Sequence, residues 1–191
     1  MTVLIGAFDI SSGEPVVGTV NQPFWRKNAG GWAGRQLWGV CAQGKSVSSL
    51  PSPTGPGSGL LRGRRVVMSS SDSEWVKWVL REAGCEVVCA AGCGYKLLCV
   101  IDGHVDAYLH SKSSTFKWDT CSPQGILRSL GGGIVSWEAV VASGEMKALC
   151  YHRPDSPALS VGQQWRNAGG FLAYCSIHTA QAIAKLVKGD G

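Results

Sequence analysis

The chain lacks the features that several large classes of protein require. Only 16% of its 191 residues are charged, and its 13 acids are outnumbered by 18 basic residues. No apolar run approaches the roughly 20 residues that a membrane-spanning helix needs, and no basic region precedes an apolar segment at the amino terminus. We therefore expect a soluble, unsecreted, cytoplasmic protein with no membrane insertion.

Cysteine occurs eight times, but no Cys-x-x-Cys pair occurs and no histidine lies at zinc-finger spacing from two cysteines. A disulfide framework suits small exported domains, and nothing in the sequence indicates export. Reduced thiols that act as small apolar side chains are therefore favoured over metal or redox chemistry. The scarcity of acids matters more, because a metal-dependent hydrolase needs several converging carboxylates.

Charge is distributed unevenly along the chain. Residues 1–68 carry seven basic residues and two acids, whereas the remainder carries eleven of each sign. The basic residues are scattered among Gly, Trp and Pro and do not form one helical stripe. We interpret them as solvated loop charges and expect no nucleic-acid partner.

The first part of the chain is predicted to be rich in β-structure. Residues 2–8 and 16–22 predict a hairpin, and two further short strands are expected around Trp32 and at 37–42. The Ser, Pro and Gly content of residues 46–59 predicts a loop that separates two structural units.

The second part predicts strands that alternate with helices, as in α/β proteins. The glycine turn at 92–94, between a strand and a helix, has the shape of an anion site. Strands are expected at 64–69, 85–91, 104–111 and 169–175, and helices at 73–84, at 95–103, after Asp119, and from Ser176 to about Lys188.

The segment at residues 116–135 is the most informative part of the sequence. Asp119 lies where a helix is expected to begin, ahead of the glycines at 131–133. A carboxylate there could bind a divalent cation, or it could be an ordinary helix N-cap. Spacing alone favours the N-cap.

This segment resembles the carboxy-terminal signature of the lithium-sensitive, magnesium-dependent inositol phosphatase superfamily. That signature is a Trp-Asp pair followed by a helix and a Gly-Gly pair, here Trp118, Asp119, Gly131 and Gly132. Three further stretches, 3–24, 90–106 and 165–174, are similar to the branch that acts on inositol polyphosphates, and they follow in family order.

The resemblance implies an α/β fold, the layered αβαβα sandwich of the inositol monophosphatase-like phosphatases, with the amino-terminal part missing. Residues 1–45 would then be the end of the first, metal-site unit. Residues 46–63 would be a connecting loop, and residues 64–191 would form the carboxy-terminal unit with the substrate pocket.

The function implied by the resemblance is Mg²⁺-dependent, Li⁺-inhibited removal of the 1-phosphate from inositol 1,4-bisphosphate and inositol 1,3,4-trisphosphate by a monomer. Asp119 would be a Mg²⁺ ligand that also faces an inositol hydroxyl. Gly92, Cys93 and Lys96 would hold the phosphate that is not cleaved, and Ser71 and Ser114 would contact the substrate.

The sequence also departs from the family pattern. Cys93 stands where the family commonly has a small residue, and the upstream acidic pair and Asp-Pro-x-Asp-Ser-Thr loop, which supply most of the metal ligands, are absent. We therefore assign no catalytic residue to this chain and expect the catalytic residues to lie upstream of Met1. The 191-residue polypeptide alone is then expected to be inactive.

Two alternatives stay open. One is a 3′(2′),5′-bisphosphate nucleotidase, whose Lys-Trp-Asp-Thr-Cys stretch is similar to residues 117–121. The other is a truncated, non-catalytic product that binds inositol phosphates.

Overall fold

The structure, a computed structural model, describes residues 1–51, 64–152 and 160–189. Its strands form a four-stranded antiparallel sheet and a five-stranded mixed sheet. In chain order the described elements are β1 (Val3–Phe8), β2 (Pro15–Asn28), β3 (Gly31–Ala42), β4 (Lys45–Ser48), β5 (Arg65–Met68), α1 (Glu74–Glu82), β6 (Glu86–Cys89), α2 (Cys93–Ile101), β7 (Ala107–His110), α3 (Lys117–Ser129), β8 (Gly133–Ser136), α4 (Trp137–Ser143), α5 (Val161–Gln164), β9 (Phe171–Tyr174) and α6 (Ile177–Lys188).

The strand order is β1-β2-β3-β4 in the first sheet and β6-β5-β7-β9-β8 in the second. In the second sheet β5 is parallel to both β6 and β7, and β9 is antiparallel to β7 and β8. The carboxyl ends of β5, β6 and β7 therefore meet at one edge of the sheet.

Helices cover both faces of the second sheet. Val66 and Met68 of β5 pack with α1, α4 and α6, whereas Val67 faces the opposite core, which contains Leu97 of α2 and Ile126 of α3. Val20 and Leu37 of the first sheet join that second core. The order of layers is therefore sheet, helices, sheet, helices, which confirms the expected layered α/β sandwich.

The contact between α3 and the first sheet depends on a row of glycines. Gly6, Gly18 and Gly39 are direct cross-strand partners on β1, β2 and β3. A Cβ atom at Gly6 would lie 2.6 Å from the backbone nitrogen of Ser122, and one at Gly18 would clash with the carbonyl oxygen of Ser122. Because these atoms belong to the helix backbone, they cannot rotate away, and the glycines set how closely the helix approaches.

Several boundaries differ from those expected. One twelve-residue strand, β3, replaces two short ones, because it continues the hairpin with β2. Strand β4 includes Ser46–Ser48, which had been assigned to the loop, and residues 52–63 of that loop lie outside the described residues. Helix α4 was not predicted from the sequence.

Within the described ranges, no helix is both long enough and apolar enough to cross a membrane.

We predict that Gly18→Ala lowers the free energy of unfolding by about 3 kcal/mol, because the added methyl must push α3 away from the sheet. Urea unfolding followed by circular dichroism measures the change. Gly162→Ala is the matched control, because a Cβ at Gly162 meets nothing within 4 Å. The control should stay within about 0.5 kcal/mol of the parent chain, and an equally mild effect at Gly18 would contradict the close contact.

Candidate functional site

The candidate site lies where three parallel strands end. β5 is followed by residues 69–72, β6 by residues 90–92 and β7 by residues 111–114. In open α/β sheets, ligands bind at the carboxyl ends of the strands. The topology therefore brings together polar residues that are far apart in the sequence.

A cavity of about 270 Å³ opens at this edge. Gly92 is the N-cap of α2, and its φ of 82° lets the chain turn from β6 into the helix. Gly92 has no side chain that could cap α2, and within the described ranges no side chain accepts from the first backbone N–H groups of the helix. The cavity is lined by Ser69, Ser70, Cys89, Ala90, Ala91, Gly92 and Lys96.

Lys96 is a buried cation, with 3% of its surface exposed. Its Nζ donates to Ser69 Oγ at 2.5 Å and to the Ala90 carbonyl at 3.2 Å, and no carboxylate pairs with it among the described residues. Burial lowers the pKa of Lys96. Lys77 is buried to the same degree but pairs with Glu74 at 2.7 Å. Lys96 is therefore a buried residue of α2 whose charge is not neutralised by a neighbouring carboxylate in the part of the chain that the structure describes.

The Tyr108 ring lies beneath the Lys96 ammonium, and Cys93 lies one helical turn before Lys96. The ammonium lies 4.8 Å from the centre of the Tyr108 ring, and the buried Tyr108 hydroxyl has no hydrogen-bond partner in the described part of the chain. Burial raises the pKa of Tyr108. Burial, reinforced by the charge of Asp119, raises the pKa of the Cys93 thiol to about 12, so Cys93 is a neutral thiol at physiological pH.

Asp119 occupies a different position in its helix from the one expected. Helix α3 begins at Lys117 with Phe116 as N-cap, so Asp119 is the third helical residue rather than the cap. Its Oδ2 accepts a hydrogen bond from the Phe116 backbone at 2.8 Å. The carboxylate still stabilises the start of the helix, but it does so by reaching back from the first turn.

A second group of side chains was missed from the sequence. Asp72 is buried, and its Oδ2 accepts from the Ser69 amide at 2.7 Å. Its Oδ1 lies 3.1 Å from His110 Nδ1, and His110 Nε2 lies 3.0 Å from Ser114 Oγ. The feature of the sequence that could have revealed them is their position, since Asp72 follows β5 and His110 is the last residue of β7. Single acids and histidines carry no spacing pattern that would have shown this.

The structure brings Gly92 and Lys96 together at the cavity, whereas Cys93, the first residue of α2, is not among the residues that line it. Asp119 is close enough to Cys93 to influence the pKa of its thiol. Ser114 lies on the same edge through its contact with His110. Ser71 is exposed in the turn after β5 and has no side-chain hydrogen bond among the described residues. The roles of all six predicted residues in ligand or metal binding stay predictions.

The described residues alone do not fit a magnesium site. They contain no group of three or more His, Cys, Asp or Glu side chains placed to hold a metal ion. One Asp119 carboxylate, already bonded to a backbone amide, is a poor match for Mg²⁺, which prefers several oxygen ligands in near-octahedral geometry.

The amino-terminal end of the chain bears on where further ligands could come from. Met1 is exposed, with 79% of its surface accessible, and it immediately precedes the edge strand β1 of the first sheet. Nothing in the described residues tests the expectation that the catalytic residues lie upstream of Met1. That expectation therefore stays a prediction.

The environment of Asp72 predicts a pH dependence of stability. Burial alone would raise its pKa, but the neighbouring His110 ring and the Ser69 and Ser111 amides lower it from 3.8 to about 2. The stabilising contribution is therefore complete above the unfolded value and is lost as the pH falls from about 4 towards about 2.

Urea unfolding between about pH 6 and about pH 2 should show this loss, roughly 2 kcal/mol, in the parent chain and not in Asp72→Asn. The exposed Glu145→Gln variant is the control and should follow the parent chain. Parallel curves for the parent chain and Asp72→Asn would show that the buried carboxylate is not stabilised in this way.

Known proteins resemble this chain in sequence and in fold. The sequence matches the inositol monophosphatase family over residues 1–177. It is 36% identical to human inositol polyphosphate 1-phosphatase over 98% of this chain and 52% of that protein. It is 32% identical to human 3′(2′),5′-bisphosphate nucleotidase 1 over 69% of this chain and 42% of that protein.

An inositol monophosphatase from Zymomonas mobilis has a similar fold, with a TM-score of 0.58 at 16% identity over 92% of this chain and 58% of that one. The chain spans about half the length of the curated relatives it matches. The sequence match and the layered fold together show that this chain belongs to the inositol monophosphatase family.

Proposed function

We propose that this chain is the phosphate-holding part of a phosphomonoesterase that removes the 1-phosphate from inositol 1,4-bisphosphate and inositol 1,3,4-trisphosphate. The observation that carries the proposal is the buried Lys96 ammonium, which lines a cavity and pairs with no carboxylate of the described chain. A buried charge is costly unless an opposite charge compensates it. A phosphate group at the cavity would supply that charge.

The surroundings of Lys96 support an anion as the occupant. The uncapped N-terminus of α2 directs backbone N–H groups and the positive end of the helix dipole to the same place. Gly92 lets the backbone approach, and the neutral Cys93 thiol adds no negative charge. In this proposal Gly92, Cys93 and Lys96 hold the phosphate that is not cleaved.

The remaining site residues have more specific roles in the same proposal. Ser71 and Ser114 contact the substrate. Asp119 is one ligand of a divalent cation, Mg²⁺, and Li⁺ inhibits the enzyme at this metal site. The other metal ligands and the catalytic residues would have to come from outside these 191 residues, from a segment before Met1. Because a phosphomonoester is cleaved with the help of several metal-bound oxygens, we propose that the 191-residue polypeptide binds the substrate but does not hydrolyse it.

We also propose that the chain consists of two units, as expected from the sequence, of which the second is residues 64–191. The first, expected at residues 1–45, extends to Ser48, because β4 is the fourth strand of its sheet, so the connection expected at residues 46–63 begins after Ser48. The outer face of the first sheet supports the idea that a further layer of a longer protein packs there. That face exposes Ile5, Val17, Trp38 and Val47. Apolar surface of this kind is usually covered in the assembled protein.

A 3′(2′),5′-bisphosphate nucleotidase is the second candidate, supported by the 32% identity to the human enzyme of that name. That similarity covers 69% of the chain, against 98% for the inositol polyphosphate 1-phosphatase. A truncated product that only binds inositol phosphates is the third candidate. Comparing the binding of adenosine 3′,5′-bisphosphate with that of inositol 1,4-bisphosphate separates the first two candidates.

We predict that Lys96→Met weakens phosphate binding by this chain. Isothermal titration with inorganic phosphate and with inositol 1,4-bisphosphate should show at least a tenfold weaker affinity, about 1.4 kcal/mol, because the buried cation is lost. Lys185→Met on α6 is the matched control, since Lys185 is exposed and remote from the cavity. Equal affinities for the Lys96→Met variant and the control would contradict the proposed site.

A further inference from the structure

The Asp72, His110 and Ser114 side chains form a connected set beside the phosphate cavity. Four contacts link them to Lys96. Lys96 Nζ donates to Ser69 Oγ at 2.5 Å, and the Ser69 amide donates to Asp72 Oδ2 at 2.7 Å. Asp72 Oδ1 lies 3.1 Å from His110 Nδ1, and His110 Nε2 lies 3.0 Å from Ser114 Oγ. The set therefore begins at the buried cation and ends at a hydroxyl on the surface.

Burial changes along this set. Asp72 and His110 are 3% and 2% exposed, whereas Ser114 is exposed. The Ser111 amide and hydroxyl also donate to Asp72 Oδ1, at 3.0 and 3.2 Å, which holds the carboxylate in place. The Phe171 ring, 5.6 Å from the His110 ring, packs against the imidazole. Two of the three side chains are thus fixed, and only the third can meet a ligand.

The charge of Asp72, 3.1 Å from Nδ1, favours one position of the imidazole proton. Nδ1 faces the Asp72 carboxylate, so a proton on Nδ1 is favourable and a lone pair there would be repelled. In the singly protonated ring, Nε2 is then an acceptor, and the Ser114 hydroxyl donates its proton to Nε2. The Ser114 oxygen presents only its lone pairs to the outside.

A serine oxygen in this state distinguishes ligand groups. A phosphate dianion has no proton to donate, whereas a hydroxyl of an inositol ring has one. We propose that His110 is a positioning residue, which sets Ser114 as the acceptor for a ring hydroxyl and so gives the site its preference for polyol phosphates. The inference rests on the proposed function, because it needs a phosphate held at Lys96.

The same residue types occur in serine hydrolase triads, but the geometry here is different. His110 Nδ1 is at ion-pair distance from Asp72, yet its N–H group is not aligned for a hydrogen bond with any acceptor of the described chain. A triad requires that hydrogen bond to orient the base. We therefore assign His110 to orienting Ser114 and not to activating it as a nucleophile.

Two substitutions of His110 separate its contacts. The amide of His110→Asn can occupy the place of Nδ1 beside Asp72 but cannot reach Ser114, whereas the longer side chain of His110→Gln places an amide oxygen near the position of Nε2. Ser114→Ala removes the exposed hydroxyl without touching the core. His104→Asn is the matched control, because His104 is exposed.

Isothermal titration of the full chain compares inositol 1,4-bisphosphate with inorganic phosphate. We expect Ser114→Ala and His110→Asn each to weaken the binding of the bisphosphate about fivefold, the value of one hydrogen bond, and to leave inorganic phosphate unchanged. His110→Gln should restore most of the loss. The double variant His110→Asn/Ser114→Ala should be no weaker than either single variant, because His110 acts through Ser114.

The opposing outcomes are distinct. Equal losses for both ligands, no loss for either, or additive losses in the double variant would each overturn the role of His110. If inorganic phosphate binds but inositol 1,4-bisphosphate binds no more tightly, this inference alone fails. If neither ligand binds the parent chain, the proposed function fails as well.

Discussion

The close contact between helix α3 and the first sheet is the constraint on which the candidate site depends. The glycine row of Gly6, Gly18 and Gly39 allows the helix backbone to lie directly on three strands, while Ile126 and Leu127 of the same helix pack against the second sheet. Helix α3 is thus the layer between the sheets. Its first turn carries Asp119, so the distance between the sheets also sets the position of that carboxylate.

The site combines the position of the Asp119 carboxylate with a buried positive charge that no carboxylate pairs with among the described residues. Three parallel strands deliver Ser69, the α2 N-terminus and His110 to one edge. Of the two buried lysines beside that edge, Lys77 pairs with Glu74, whereas Lys96 pairs with no carboxylate of the described residues. Folding a lysine into the protein without a directly paired carboxylate costs stability, which a phosphate ligand would restore. The proposed function follows from the charge of Lys96. The proposed role of His110 follows from its contact with the Ser114 hydroxyl, which is the exposed end of the connected set of side chains.

Much of this architecture could be predicted from the sequence, for physical reasons. The alternation of strands and helices after residue 64 and the glycine turn before α2 are local patterns, and the structure confirms them. Lys96 was identified from the resemblance to the family, because a single lysine on a helix carries no local pattern that shows its burial. Strand β4 was missed because Ser-rich residues form a strand only when β3 lies beside them. Asp72 and His110 were missed because their contact joins residues 38 positions apart, which only the parallel pairing of β5 with β7 brings together.

The central claim is that these 191 residues bind the substrate but do not cleave it. Titration of the polypeptide with inositol 1,4-bisphosphate in the presence of Mg²⁺, followed by ³¹P NMR, measures both properties in one sample. The account predicts saturable shifts of the phosphate signals, with both signals persisting. Unshifted signals, or growth of an inorganic phosphate signal that depends on Mg²⁺, would contradict it.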